Sequence, residues 1–123
     1  MKHLIIVYEP RWAIGQEDAA SQDIIKNCHY KVRELIADLY NDKIAKITRV
    51  LYGGSVNLKN ISTIIRIPEV DGAGSTRSSL NPVDFVKMVR LVEKESEYRK
   101  SMIELRSKAR AGKSIELYVD KEN

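Results

Sequence analysis

Glu9 follows directly on an apolar run, Leu4-Ile5-Ile6-Val7-Tyr8. A carboxylate straight off a buried strand can cap a helix, pair with a cation, or take a proton from a substrate. The residues after it favour the last role. Pro10 stiffens the chain, and Arg11-Trp12-Ala13-Ile14-Gly15 brings large apolar side chains where a polar loop is expected. An apolar loop beside a carboxylate can close over it as a lid and exclude water. A second segment, Tyr52-Gly53-Gly54-Ser55-Val56-Asn57, is a glycine turn between a strand and a helix start. Such a turn exposes backbone N–H groups at the positive end of a helix dipole, which suits a phosphate. Gly-Gly-Ser alone is a common turn. Opposite a carboxylate on a neighbouring strand end, it reads as a phosphate cradle facing a proton-transfer base.

The elements that must position these residues follow from periodicity. Leu4 to Tyr8 is continuous rather than alternating, as expected of a strand buried on both faces of a parallel sheet. Ser21 can cap a helix with Asp23 in its first turn, and Ile24, Cys28, Val32, Leu35, Ile36 and Leu39 form an apolar stripe that Asn41 and Asp42 close. A second strand covers about 47–52 and ends at Gly53-Gly54. Asn57 can cap a short helix containing Ile61, Ile64 and Ile65, which Pro68 stops. A third strand begins near Val70 and breaks at Gly72 and Gly74. Asn81-Pro82 starts a helix with Val83, Val86, Val89, Leu91 and Val92 on its buried face.

Strand–helix thus occurs three times. The connections are long enough for crossover helices, so the strands are expected to be parallel with right-handed crossovers. Ligands of such folds sit outside the carboxyl ends of the strands, which selects 9–15, 53–57 and 74–79. Beyond Glu93 the pattern weakens. Residues 94–123 read as a helical, partly basic extension that stops near Gly112, and 115–119 alternate like a short edge strand. Arg99, Lys100, Arg106, Lys108, Arg110 and Lys113 face only Glu104 among acids in that stretch. A solvated helix explains this cluster more simply than an RNA- or anion-binding tail.

Composition bounds the class. The chain has 123 residues, 31% of them charged and 43% hydrophobic, with a net charge of +4. That is an ordinary globular composition sized for one small domain. The positive charge is divided evenly between 1–93 and 94–123, so a nucleic-acid partner is not expected. No apolar run approaches the roughly 20 residues that span a bilayer, and no signal-peptide pattern opens the chain. One cysteine excludes an internal disulfide. A cytoplasmic protein without a membrane partner is expected.

Two motifs carry a resemblance. Tyr8-Glu9-Pro10-Arg11-Trp12-Ala13-Ile14-Gly15 resembles the catalytic-base and lid segment of the triose-phosphate isomerase family. Tyr52-Gly53-Gly54-Ser55-Val56-Asn57 resembles that family's phosphate-binding turn, at the family's offset from the glutamate. Val70-Asp71-Gly72 with Ser79-Leu80 is similar to its final barrel strand and the start of its last helix. The likeness covers about residues 3–93. It implies an α/β fold, the parallel (βα)3 portion of a (β/α)8 barrel, with 94–123 as the C-terminal extension. It also implies interconversion of glyceraldehyde 3-phosphate and dihydroxyacetone phosphate through an enediol(ate), without cofactor or metal. Glu9 would be the base and Pro10, Arg11, Trp12, Ala13 and Ile14 the lid. Gly15, Gly53, Gly54 and Ser55 would hold the phosphate of a small sugar-phosphate substrate. The full-length form would be a homodimer.

The likeness also has departures. A complete barrel takes about 250 residues, and the family's electrophilic histidine and its lysine lie in units that precede this match. His3 stands at the wrong end of the first strand, and His29 lies within a helix beside Cys28, so both are read as structural or exposed. Thr76-Arg77 replaces a glycine pair whose amides approach the phosphate, although Arg77 can bind an anion by charge. Gln16-Glu17-Asp18 follows the lid where small residues and a lysine are usual. The chain alone is expected to be inactive. Isomerisation of a four-carbon ketose phosphate and non-catalytic phosphate binding by a half-barrel are the alternatives.

Overall fold

The computed structural model describes residues 4–110. Its elements are β1 (Ile5–Tyr8), α1 (Gln22–Leu39), α2 (Asp42–Ile47), β2 (Arg49–Gly53), α3 (Ile61–Ile65), β3 (Gly72–Gly74) and α4 (Pro82–Arg110), with single 3-10 turns at Arg11–Ala13 and Arg77–Leu80. The three strands lie in the order β1-β2-β3, all parallel, with Tyr8 beside Tyr52 and Gly53 beside Gly74. The α/β architecture and parallel sheet agree with the sequence reading. No helix among the described residues is long and apolar enough to cross a membrane.

Several details differ, each for a physical reason. β1 is an edge strand packed on one face only. Ile6 and Tyr8 turn toward the helices, whereas Ile5 and Val7, on the other face, stay about half exposed at 48% and 47%. The predicted two-sided burial is therefore absent, and an unbroken apolar run still alternates in the strand. The buried stripe of α1 is Ile25, His29 and Ile36, flanked by Val32; Val32 and Ile36 are as predicted, whereas Ile24, Leu35 and Leu39 are exposed. The true stripe steps by four, three and four residues through a histidine that a hydrophobic pattern leaves out. Asn41 opens α2 instead of closing α1, its side chain accepting from the Ile44 amide at 2.9 Å. Ile47 consequently ends a helix, and β2 starts at Arg49.

β3 consists of the glycines expected to break it. A Cβ on Gly72 would lie 3.3 Å from Leu51 Cγ, so the glycine admits the neighbouring side chain. Asn57 shapes the turn before α3, where its carbonyl accepts from the Asn60 and Ile61 amides, and Asn60 occupies the N-cap position. On α4 the buried stripe is Met88 and Glu95 with Leu91 and Val92 partly covered, while Val83, Val86 and Val89 are exposed. Glu95 is admitted because Arg66 grips it with two bonds, of 2.7 and 2.9 Å. That grip holds the Glu95 carboxyl below its usual range. α4 runs through 93–94 without a break, and Arg99 donates to the carbonyls of Val70 and Pro68. Arg99 thereby leaves the basic cluster. The predicted stop near Gly112, Lys113 and the predicted strand at 115–119 lie outside the described residues.

Arg33 binds the layers together. From α1 it donates to the carbonyls of Ala45 at 2.9 Å, Thr48 at 3.1 Å and Glu69 at 3.4 Å, and it pairs with Asp71. Asp71 in turn accepts from the Val50 amide at 2.8 Å. Replacing Arg33 strands three carbonyls and a carboxylate. Arg33→Ala is expected to cost about 2–3 kcal/mol of stability, measurable by urea unfolding.

His29 is fully buried, and among the described residues neither ring nitrogen has a hydrogen-bond partner. Its ring clusters with those of Tyr8 and Tyr52, at centroid distances of 5.8 and 6.4 Å, the two tyrosine rings being 6.4 Å from each other. Burial holds it below the usual imidazole range, against the opposing pull of the Glu69 backbone and the Asp71 carboxylate. The unfolded chain therefore binds the proton more readily than the folded one. Stability should be full above the ordinary histidine pKa of about 6.5 and fall as pH drops below it, by at most about 1.4 kcal/mol per pH unit. Melts from pH 8 to pH 5 should show this slope, and His29→Phe should flatten it.

Candidate active site

The carboxyl ends of β1 and β2 bring Glu9 and the glycine turn together. Glu9 lies across Gly53, where an added Cβ would stand 2.6 Å from Glu9 Oε1 and 2.7 Å from its Cγ. Only glycine leaves that space, so the residue beside Glu9 is constrained by the Glu9 side chain itself. Gly54 is constrained twice, by a φ of +131° and because a Cβ would meet the Tyr52 hydroxyl at 2.8 Å. Ser55 takes the left-handed φ of 51°, unusual for a residue with a side chain. Asn60 supports this turn by donating to the Ser55 carbonyl at 2.9 Å and accepting from the Asn57 amide at 2.9 Å.

The segment after Glu9 is tied to the same turn. Pro10 and Ala13 are buried, and the Ala13 amide closes one 3-10 turn on the Pro10 carbonyl at 2.8 Å. The Ser55 hydroxyl stands 2.8 Å from the Ala13 carbonyl and 2.6 Å from that of Gln16, with one hydrogen to give. Asn57 Nδ2 donates to the Glu17 carbonyl at 3.4 Å, and the Ala20 amide donates to the Tyr52 hydroxyl at 2.9 Å. The stretch tied to the glycine turn therefore continues to Ala20, beyond the 10–14 that the sequence singled out. Trp12 and Ile14 are exposed, so the large apolar side chains do not cover Glu9 as the sequence suggested.

A cavity of ≈ 460 Å³ opens over this arrangement. Glu9, Ile14, Gly15, Gly54, Ser55, Thr76 and Arg77 all line it. Gly53 lies beneath Glu9 rather than in the wall; Pro10, Arg11, Trp12 and Ala13 do not line the cavity, Pro10 and Ala13 being buried and Arg11 and Trp12 exposed to solvent. The wall also contains Glu17, Asp18, Asn57, Lys59, Asn60 and Asp84. Of these, Asn57 and Asn60 lay in sequence directly behind the glycine turn, where their amide side chains could have been suspected. Asp84 comes from the first turn of α4 and had no local signal.

His29 does not reach the cavity; Tyr8 and Tyr52 pack against its ring. Contact with the Cys28 side chain and burial push the Tyr8 hydroxyl up to about 12, and burial raises Tyr52 against the Ala20 hydrogen bond. Both phenols stay protonated near neutral pH, and the carboxylates that line the cavity are Glu9, Glu17, Asp18 and Asp84. Among the described residues no group of three His, Cys, Asp or Glu could hold a metal ion. Tyr52→Phe leaves the Ala20 amide with no acceptor in a buried place. The expected outcome is a loss of about 1–3 kcal/mol, and amide hydrogen exchange faster at Ala20 than in the unmodified chain.

Comparison with known proteins agrees with this geometry. The family described as "Triosephosphate isomerase" matches residues 1–92. A triosephosphate isomerase of Syntrophotalea carbinolica is 36% identical over 90 residues, which are 73% of this chain and 36% of that protein. A probable triosephosphate isomerase 2 of Listeria monocytogenes is 38% identical over 93 residues, 76% of this chain and 36% of the relative. One from Lactobacillus acidophilus is 40% identical over 86 residues, 70% and 34% respectively. The chain thus spans about a third of the length of the curated relatives it matches. With its parallel sheet a portion of their barrel, and a glutamate set over a glycine turn at the strand ends, the chain belongs to the triosephosphate isomerase family.

Proposed function

We propose that this chain carries the base and the phosphate cradle of an isomerase that interconverts glyceraldehyde 3-phosphate and dihydroxyacetone phosphate, and that it is inactive alone. The observation that supports this most directly is Glu9 lying across Gly53 at the floor of a cavity that the lid segment and the glycine turn share. Glu9 takes a proton from the carbon next to the carbonyl, leaving an enediol(ate), and returns it to the neighbouring carbon. The amides of Gly15, Gly54 and Ser55 hold the phosphate, whose charge a turn of exposed N–H groups favours. Residues 1–93 form this part of the protein, and 94–123 extend it.

The enediolate oxygen needs a hydrogen-bond donor or a cation where charge develops. His29 is walled off behind Tyr8 and Tyr52, so the described residues bring no imidazole to that oxygen. The same observation favours a second reading, in which the cavity binds a phosphorylated sugar and does not turn it over. Four-carbon ketose phosphates are tested as substrates beside the three-carbon pair.

A chimera decides between them. It joins the part of the Listeria relative that precedes the match to the whole of this chain, so that Glu95 and Arg99 of α4 are kept. The chimera is expected to isomerise glyceraldehyde 3-phosphate, and the chain alone is not. In the chimera Glu9→Asp, which retracts the carboxylate by one methylene, should lower kcat about a hundredfold with little change in KM. A folded chimera without turnover leaves the binding reading, and near-normal turnover of the variant removes Glu9 from the base role.

A further inference from the structure

The cavity's charge balance does not suit the anion it is read to hold. Its wall carries four carboxylates, Glu9, Glu17, Asp18 and Asp84, against two cations, Lys59 and Arg77. The hydroxyl of Ser55, the nearest neutral side-chain donor to the turn, is already shared between the carbonyls of Ala13 and Gln16. What remains to offset a phosphate's charge is backbone N–H groups and the two cations.

Arg77 is placed to do more than balance charge. It opens the 3-10 turn that follows β3, three residues past Gly74. Its Nη2 stands 4.0 Å from the point that a Cβ on Gly15 would occupy, so the guanidinium spans the mouth from the third strand to the lid. It is exposed, and among the described residues it forms no ion pair; the two ion pairs found are Arg33–Asp71 and Arg66–Glu95. A planar fork of donors suits two oxygens of one phosphate.

We propose that Arg77 is the side chain that recognises the ligand's phosphate dianion, gripping it against the lid at Gly15. This rests on the reading of the cavity as a phosphate site and names the residue that determines its anion selectivity. An anion held between Arg77 and the Gly15 amide joins the loop after β3 to the lid, so binding and lid order are coupled. Carboxylates on both sides of the mouth oppose any anion that lacks the second charge or the second oxygen to engage the fork.

The test is titration of the full 123-residue chain with inorganic phosphate. Calorimetry gives affinity, and the amide resonances of Gly15 and Gly54 report where the ion sits. Arg77→Ala removes an exposed side chain, and its circular dichroism should match that of the unmodified chain. It should weaken phosphate by roughly tenfold or more and abolish the Gly15 shift. Arg77→Lys, which keeps the charge and loses the fork, should fall between the two. Phosphate binding that survives Arg77→Ala unchanged would overturn this inference and leave the cradle of amides standing. No binding by the unmodified chain would overturn the cradle itself, and the inference with it.

Discussion

The guanidinium of Arg33 holds the strand starts in place, and everything at the strand ends follows from that. One side chain on α1 reaches the last part of α2, the residue before β2 and the residue two before Asp71. Asp71 closes the circuit by accepting from Val50 within β2. A carbonyl or carboxylate left without a partner at a partly covered site costs more than the bond itself contributes. The network therefore specifies one relative position of α1, β2 and the approach to β3. In that position Leu51 pairs with Gly72 and Gly53 with Gly74. A slip of one residue would turn Val50 and Tyr52, both fully buried, to the other face.

Register at the starts becomes chemistry at the ends. Tyr8 pairs with Tyr52, so Glu9 arrives beside Gly53, and the absence of a Cβ there gives the carboxylate its place. The next residues of β2's exit then bind the next residues of β1's exit. Tyr52 accepts from Ala20, and Ser55 and Asn57 donate to the carbonyls of Ala13, Gln16 and Glu17. The segment after Glu9 and the glycine turn are thus one hydrogen-bonded unit. The Ser55 hydroxyl is engaged in holding this unit together.

Polar residues on core stripes explain where the pattern of apolar residues misleads. His29 and Glu95 both sit on buried helix faces, and both displace the stripe that hydrophobicity alone would draw. Glu95 is matched by Arg66 with a bidentate pair. His29 has the rings of Tyr8 and Tyr52 and, among the described residues, no partner for its nitrogens; burial favours its neutral form, and it contributes as packing. Valines at 83, 86 and 89 are left exposed on the opposite side of α4's true face.

The order of strands and helices, their parallel pairing and the pairing of Glu9 with the glycine turn were legible in the chain. They depend on local signals: an apolar run cut by proline, a glycine turn before a capped helix, an Asn-Pro start. The family motifs added the chemistry those signals could serve. Tertiary structure decided what local signals cannot hold. Two-sided burial of β1 needs a neighbour on each face, and only one face has it. β3 forms from glycines because Leu51 needs the room at Gly72. The fate of a hydroxyl, a guanidinium or an imidazole depends on the groups around it in space, and for Ser55, Arg77 and His29 those neighbours come from distant parts of the chain.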